Sequence, residues 1–312
     1  MQPLFRAGAI DIGTNSVLLT VVERDRAGAR RIVIDRCTIT RLGQGVDKTR
    51  QLAPDAVART LECLRNYAEV LRDLRVDSLD VVGTSALRDA RSSGEFLREA
   101  EALLGAVPRV IEGTEEAELT FRGALSSLEL SGPVVVLDIG GGSTELITGR
   151  QTTSDTIAAA FQSLDLGCVR MTERHVTTDP PEPAALASIA ESARTALATL
   201  SFSLGEGTLV AVAGTATTLA AIDLNLSTYD RSRVHGHVLS RTRLESLLGT
   251  VATLPRPERA SMPGMEPKRA DVIVAGAVIL VAVMDHARQD RLVVSDRGVR
   301  FGMIESLLDR VN

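Results

Sequence analysis

Two short segments of the chain combine a carboxylate with a turn made of glycine and hydroxyl-bearing residues. Residues 10–16 read I-D-I-G-T-N-S, and residues 137–145 read L-D-I-G-G-G-S-T-E. Glycine lets the backbone approach a bulky anion, while backbone N–H groups and Thr or Ser hydroxyls donate hydrogen bonds without carrying charge. Both segments therefore predict a turn that binds phosphate.

An aspartate stands shortly before each turn, Asp11 in the first and Asp138 in the second. A carboxylate would repel phosphate unless a divalent cation lay between them, and Mg²⁺ binds through one or two carboxylates together with phosphate oxygens. The alternative is that a single D-x-G-T segment is only a β-hairpin, since hairpin turns select Asp, Gly and Asn for backbone reasons. Because the pattern occurs twice, we favour a site for a metal-bridged polyanion such as a nucleotide or an oligophosphate.

Apolar runs rich in β-branched residues flank both turns, so each turn is predicted to join two strands. These are residues 8–12 with 17–22, and residues 134–137 with 146–148. Further strands are predicted at residues 31–40, 79–82, 109–111, 156–160, 208–213 and 291–294. Helices are predicted at residues 54–74, 94–104, 114–128, 183–200, 217–224 and 269–286, with a terminal helix after residue 298. The proline-rich residues 254–267 are predicted to form a surface loop.

Each turn opens a half in which strands and helices alternate, which indicates an α/β protein of two domains. We predict an N-terminal domain over residues 1–122 and a C-terminal domain over residues 123–312, with the terminal helix crossing back to the first. The two turns are expected to meet at a cleft between the domains, because ligand sites commonly lie at domain interfaces.

The composition of the 312 residues excludes several classes of protein. Hydrophobic residues make up 44% and charged residues 24%, which is typical of a chain with a packed core. A net charge of −5 disfavours a general nucleic-acid binder. No apolar run reaches the roughly 18 residues that span a bilayer, so the protein is predicted to be cytoplasmic. The cysteines are far apart and odd in number, which predicts reduced core thiols at Cys37, Cys63 and Cys168.

The chain carries a series of motifs in an order typical of one enzyme family. Besides the two D-I-G turns, these are T-S-A-L-R at residues 84–88, E-E-A at 115–117, A-G-T-A-T-T-L at 213–219, R-A-D at 269–271 and S-D-R-G-V-R at 295–300. In these motifs the chain resembles the exopolyphosphatase and guanosine pentaphosphate phosphohydrolase family over essentially its whole length. The resemblance implies the two-domain fold of the actin-like and sugar-kinase-like (ASKHA) ATPases, a ribonuclease H-like architecture, in its short form without additional C-terminal helical domains.

The resemblance implies that Glu116 is the general base, which takes a proton from the water that attacks the terminal phosphorus. Neighbouring phosphate charge would raise the pKa of such a carboxyl group. The alternative is structural. If Thr114 caps the helix that follows, Glu115 and Glu116 lie in its first turn and stabilise it by meeting the positive end of the helix dipole.

The turns and the resemblance together predict the residues that bind substrate phosphates. These are Asp11, Gly13, Thr14, Asn15, Ser16, Ser85, Arg88, Gly140, Gly141, Gly142, Ser143, Thr144, Gly214, Thr215 and Arg269. The resemblance also implies that Asp138 and Glu145 hold Mg²⁺ or another divalent cation, directly or through water. The alternatives are that Arg88 is a solvated arginine and that Glu145 is a strand-surface residue. Family members often have Arg or His where this chain has Leu18, so one cation is missing near the first turn.

Two further sets of residues invite a functional interpretation. Arg269, Arg297 and Arg300 lie near predicted helix starts, where cations are unfavourable, which suggests an anion nearby and an exit channel for a long polyanion. His235 and His237 form an isolated H-x-H pair that lacks the other ligands of a metal site.

The resemblance implies an exopolyphosphatase, which uses Mg²⁺ to hydrolyse the terminal phosphate of inorganic polyphosphate. The same site could hydrolyse guanosine pentaphosphate, and a kinase of the same fold or a silent sensor of alarmone nucleotides are the alternatives from other classes. Inorganic polyphosphate or guanosine pentaphosphate is the expected partner, with no DNA and no membrane, and a homodimer is left open.

Overall fold

The computed structural model describes residues 4–91, 93–152, 156–205 and 207–310. The strands are β1 (Phe5–Ile12), β2 (Ser16–Arg24), β3 (Arg30–Ile39), β4 (Ser78–Gly83), β5 (Arg109–Val110), β6 (Gly132–Ile139), β7 (Thr144–Gln151), β8 (Thr156–Leu164), β9 (Thr208–Val212), β10 (Val238–Ser240) and β11 (Arg291–Val294). The helices are α1 (Val46–Thr49), α2 (Pro54–Asp73), α3 (Ser85–Asp89), α4 (Gly94–Leu104), α5 (Gly113–Leu125), α6 (Cys168–His175), α7 (Pro183–Leu197), α8 (Ala213–Asp223), α9 (Arg231–Val234), α10 (Arg241–Thr253), α11 (Arg256–Ala260), α12 (Ile273–Ala287) and α13 (Val299–Asp309). A short 3₁₀ helix spans Pro267–Arg269.

The chain packs into two compact units. The first combines Met1–Gly123 with Val299–Asn312, and the second is Ala124–Gly298. The division into two independent domains at residue 122 stays a prediction. The outer ends of the predicted domains, residues 1–3 and 311–312, lie outside the described residues. None of the helices in the described parts of the chain combines the length and apolar character needed to cross a membrane.

The sheets of the two units repeat one topology within the described residues. The first has the strand order β3-β2-β1-β4-β5, in which β1, β2 and β3 are antiparallel neighbours while β4 and β5 run parallel to β1. The second has the order β8-β7-β6-β9-β11-β10, in which β9 and β11 run parallel to β6 and the short β10 is an antiparallel edge. The repeated turn in the sequence therefore lies within a repeated sheet.

Helices cover both faces of the first sheet. Alternate residues of β1 point to opposite faces, so Ile10 and Ile12 join a core with α2, while Ala7 and Ala9 join one with α13. This burial on two faces explains why β1 is an almost uninterrupted apolar run.

The core of the second unit is built around α12. This helix is apolar on all sides and buried over nearly its whole length, and it packs against α6, α7, α8 and α10. A helix that is hydrophobic on all sides is stable only inside a core, and α12 occupies such a position.

The structure corrects several predicted elements. Residues 254–267 are not a simple loop, because they contain α11 and the start of the 3₁₀ helix. The predicted helices at residues 217–224 and 269–286 begin instead at Ala213 and Ile273. Helices α6 and α10 were not predicted, although Ser240, whose hydroxyl accepts a hydrogen bond from the Arg243 N–H at 3.2 Å, is an N-cap residue that signals the start of α10.

Two expectations about single residues are wrong. Helix α5 begins at Gly113, and the Glu116 N–H already donates to the Glu112 carbonyl at 3.0 Å, so Thr114 lies inside the first turn and does not cap it. Cys63 and Cys168 are buried as expected, but Cys37 is exposed on β3. Strand β3 is at the edge of its sheet, where side chains remain in contact with solvent.

Candidate active site

The candidate residues of the first unit lie where three parallel strands end. Strands β1, β4 and β5 are parallel neighbours, so their carboxyl ends meet at one edge of the sheet. The first D-I-G turn follows β1, helix α3 with Arg88 follows β4, and helix α5 with Glu116 follows β5. Ligands of open α/β sheets commonly bind outside the carboxyl ends of the strands, and this edge therefore places the predicted residues in a suitable position.

The first turn is closed by a backbone hydrogen bond from Gly13 N to Ser16 O at 3.0 Å. The carbonyl of Asn15 accepts hydrogen bonds from the N–H groups of residues 40 and 41 at 3.1 and 3.0 Å, and that of Thr14 accepts one from Gly43 at 2.9 Å. A Cβ on Gly43 would lie 2.3 Å from Thr14 Cγ2. Residues 40–45 thus fix the backbone of the turn through hydrogen bonds and close packing. This role was not predicted from the sequence, although the glycines after β3 indicated a close approach of two backbone segments.

The side chain of Asn15 is a buried polar group suited to an anion. The residue is 5% exposed, and neither Nδ2 nor Oδ1 has a hydrogen-bond partner among the described residues. An amide buried without partners costs about 1–3 kcal/mol, and a phosphate oxygen that accepts from Nδ2 would recover part of that cost. Leu18 lies on β2 directly opposite Asp11.

Arg88 and Glu116 form an ion pair at this edge. Arg88 Nη1 donates to Glu116 Oε2 at 2.5 Å and to the Ile111 carbonyl at 2.9 Å. The side chains are only 18% and 9% exposed, respectively. The alternative that Arg88 is a solvated arginine is therefore wrong. Ser85, at the start of the same helix α3, is buried as well.

The pKa of Glu116 is raised, and burial is the main cause. The charge and hydrogen bond of Arg88 act in the opposite direction and lower the pKa of this carboxyl group. Burial within the protein thus raises this pKa without any phosphate charge, which was the cause expected from the sequence. Glu115, the preceding residue, has a side chain that is 43% exposed and pairs with Arg109 at 2.7 Å, so the two adjacent glutamates have different environments. Interaction with the helix dipole is sufficient to account for Glu115, but it does not explain why Glu116 is buried beside a cation.

The second unit repeats this arrangement at the carboxyl ends of β6, β9 and β11. The second turn follows β6, and its Gly140 N donates to Ser143 O at 3.0 Å, as Gly13 does to Ser16. Helix α8 follows β9, and residues 295–298 follow β11. The buried side chains of Ser143 and Thr144 complete the turn, and Thr144 Oγ1 donates to the Leu166 carbonyl.

Helix α6 fixes the carbonyl groups of the second turn. The N–H of Cys168 donates to Gly140 O at 3.0 Å, and those of Val169 and Arg170 donate to Gly141 O at 2.9 and 3.0 Å. Arg170 Nε also donates to Gly142 O at 2.6 Å, although this arginine is only 4% exposed. Sequence reasoning missed Arg170, because nothing in the pattern distinguishes a buried arginine from a surface one.

Gly214 and Arg269 are in direct contact. A Cβ on Gly214 would lie 1.8 Å from Arg269 Nη1, so only glycine leaves room for this guanidinium. Gly214 and the buried Thr215 are in the first turn of α8 rather than in the predicted turn after a strand. A cation beside the positive end of a helix dipole produces a local field that favours an anion.

Asp138 and Glu145 lie opposite each other on β6 and β7. Asp138 is half-buried, and Oδ2 lies 4.0 Å from the position that a Cβ on Gly298 would take. Glu145 is 2% exposed and accepts a hydrogen bond from Ser163 Oγ at 2.7 Å, so the alternative of a strand-surface residue is wrong. No group of three or more His, Cys, Asp or Glu side chains in the described residues is arranged as a metal site. Two carboxylates nevertheless fit Mg²⁺, which keeps several waters and needs few protein ligands.

The remaining arginines and histidines have structural partners. Arg300 forms a double hydrogen bond with Asp35 at 2.9 and 3.1 Å, which argues against its role in a substrate channel. Arg297 donates to Ser126 Oγ at 3.0 Å. His237 Nε2 lies 2.7 Å from Asp223 Oδ2, and His235 Nδ1 lies 3.1 Å from Asp296 Oδ1.

The duplicated sheet, with an acidic glycine turn at the carboxyl end of β1 and again of β6, defines the actin-like (ASKHA) class of α/β proteins. The chain belongs to the Ppx/GppA phosphatase family, whose model matches residues 21–311. That match begins after the first turn. The first turn resembles the second in its closing hydrogen bond and in its position at the end of a strand.

Relatives and a solved structure are similar over nearly the whole chain. Exopolyphosphatase 2 of Mycobacterium tuberculosis is 37% identical over 97% of this chain and 99% of its own length. A guanosine-5'-triphosphate,3'-diphosphate pyrophosphatase of Aeromonas salmonicida is 32% identical over 98% of this chain, which spans 60% of that longer relative. The crystal structure of a Ppx/GppA family member from Aquifex aeolicus has a TM-score of 0.83 and 32% identity, with 99% of both chains covered.

Proposed function

We propose that the protein is an exopolyphosphatase, which hydrolyses the terminal phosphoanhydride bond of inorganic polyphosphate and releases orthophosphate. The observation that carries the proposal is the buried Arg88–Glu116 pair beside the first turn, in a phosphatase-family chain. The similarity in length and sequence to an exopolyphosphatase supports this choice of substrate.

In the proposed reaction Glu116 accepts a proton from water as the water oxygen attacks the terminal phosphorus. Its raised pKa makes the ionised carboxylate a stronger base than an ordinary one. Arg88 holds one oxygen of Glu116 and would bring its positive charge to a substrate phosphate. Backbone N–H groups of both turns, the Asn15 amide and the Arg269 guanidinium would bind other phosphate oxygens. Such positioning and charge stabilisation provide most of the catalysis in phosphoryl transfer.

Asp138 is the residue that we assign to direct binding of Mg²⁺, because it is the more accessible of the two carboxylates. Glu145, which is buried and held by Ser163, would act through a bound water. The cation would neutralise charge on the phosphate oxygens.

Removal of divalent cations is expected to abolish turnover. After exhaustive treatment with EDTA, release of orthophosphate from polyphosphate should fall to background and return when Mg²⁺ is added, since the acidic turn would otherwise repel the substrate. Asp138→Asn should raise the Mg²⁺ concentration needed for half-maximal activity. Turnover that persists unchanged in EDTA would rule out the metal.

Hydrolysis of guanosine pentaphosphate is the second candidate, favoured by the similarity to a pyrophosphatase of that nucleotide. The two are separated by measuring kcat/KM for orthophosphate release from polyphosphate and from guanosine pentaphosphate with the same purified protein. We expect the larger value for polyphosphate. A larger value for the nucleotide would assign the second function, and binding without release from either would indicate a sensor.

A further inference from the structure

Arg259 is among the most buried charged residues described, with 1% of its surface exposed. Its Nε donates to the Val251 carbonyl at 2.7 Å, and Nη2 donates to the Leu254 carbonyl at 2.8 Å. These are carbonyls at the end of α10 that have no partner within that helix. Nη1 donates to the Ala270 carbonyl, and Nη2 also contacts Asp179 Oδ1 at 3.3 Å. The guanidinium therefore joins three parts of the second unit.

One of these contacts bears directly on the candidate site. Ala270 is fully buried and follows Arg269, whose guanidinium occupies the space left by Gly214. Arg269 lies at the end of a short 3₁₀ helix, where its N–H donates to the Glu266 carbonyl at 2.8 Å and its carbonyl accepts from the Val272 N–H at 3.0 Å. Through its hydrogen bonds, Arg259 links the carbonyl of Ala270, the residue after Arg269, to the carbonyls at the end of α10. Hydrogen bonds from a charged donor are stronger than neutral ones, and three of the four hydrogen bonds of the Arg259 guanidinium go to the carbonyls of Val251, Leu254 and Ala270.

A purely structural need would not require a charge here. Burying a guanidinium is costly, and well-packed apolar residues of the same volume often stabilise a fold as well or better. The burial also lowers the pKa of Arg259, which reflects this cost. What an apolar residue could not do is fix the position of the chain at residues 269 and 270 relative to α10.

We propose that Arg259 is a positioning residue for the phosphate-binding Arg269. It holds the backbone of residues 269–270 so that the Arg269 guanidinium lies over Gly214 at the start of α8. This inference rests on the proposed function, in which Arg269 binds a phosphate of the substrate.

The test is a double-mutant cycle on the whole protein, with polyphosphate as substrate. Arg269→Ala should raise KM by about 10- to 100-fold, because one charged contact to phosphate is lost. Arg259→Met should raise KM about tenfold with a smaller change in kcat, because a displacement of about 1 Å already weakens a positioned contact. In the Arg269→Ala background, Arg259→Met should cause no further rise in KM. Arg259→Lys, which keeps a charge and can reach one carbonyl, should recover part of the loss.

Leu247→Ala is the control for lost stability, since Leu247 is buried on the same α10 but contacts none of these groups through hydrogen bonds. It should lower Tm and leave KM unchanged. If Arg259→Met lowers Tm with normal KM, or if the two arginine effects multiply, Arg259 is only structural and the inference is wrong. If Arg269→Ala itself leaves KM unchanged, the assignment of Arg269 in the proposed function is wrong instead.

Discussion

Glu116→Gln is expected to lower kcat for polyphosphate hydrolysis by about 10² to 10⁴ while substrate affinity is retained. The change keeps the size of the side chain and its ability to accept from Arg88, but removes the charge and most of the basicity. KM should stay the same or fall, because a negative charge near the substrate phosphates has been removed. Steady-state release of orthophosphate, with thermal unfolding to verify folding, measures both.

Glu115→Gln is the matched control. The two glutamates are adjacent in the first turn of α5 and each pairs with an arginine, but the side chain of Glu115 is 43% exposed and that of Glu116 only 9%. Removing either charge loses a favourable interaction with the helix dipole and lowers the free energy of unfolding by about 0.3–1 kcal/mol. Only Glu116→Gln should also lose turnover. Equal and small effects in both variants would refute the general base and direct attention to Glu145 or Asp138.

Arg88→Met is expected to lower kcat/KM by about 10² to 10³, because a donor aimed at the developing charge is lost. A second effect should appear in the pH profile. Arg88 lowers the pKa of Glu116, so its removal raises that pKa further above the ordinary value. Catalysis requires ionised Glu116, so the acidic limb of kcat/KM, which reports the free enzyme, should move to higher pH.

The direction of that shift separates two roles of Arg88. If Arg88 only binds substrate, kcat/KM falls uniformly and the acidic limb stays in place. If it also holds the base, the loss is greatest at low pH and partly recovered as the pH rises. An acidic limb that moves to lower pH would contradict the pairing of Arg88 with Glu116. Arg109→Met, which unpairs Glu115 instead, should leave the profile unchanged.

Much of the candidate site could be predicted because its residues are local in sequence. Each D-I-G turn is a few residues between two β-branched runs, and local chemistry alone determines such a turn. The repeat further predicted that the two halves share an architecture, and the two turns do have the same closing hydrogen bond.

The Arg88–Glu116 pair could not be derived from spacing. The two residues are 28 positions apart and meet only because β4 and β5 pair in parallel. Likewise, the burial of Glu116 and Arg259 follows from the packing of other elements and has no local signature. Both residues look like surface residues of helices in the sequence, since charged side chains are seldom fully buried.

Errors in the predicted elements have physical reasons of the same kind. Prolines in residues 254–267 suggested a loop, but proline is favoured in the first turn of a helix, and Pro257 is such a residue in α11. Helix α8 was predicted to start four residues late, because its first turn contains a glycine that usually ends helices. That glycine leaves the space that the Arg269 guanidinium occupies.

We propose that this protein removes terminal phosphates from polyphosphate by hydrolysis. The most direct measurement follows a polyphosphate of defined length with the purified protein and Mg²⁺, by orthophosphate assay and by gel resolution of the remaining chains. We expect that orthophosphate appears from the first turnover, that every polyphosphate chain lost is replaced by shorter ones, and that Glu116→Gln stops both. Fragments cut from the middle of the chain, or no orthophosphate while the wild-type protein binds the polymer, would contradict it.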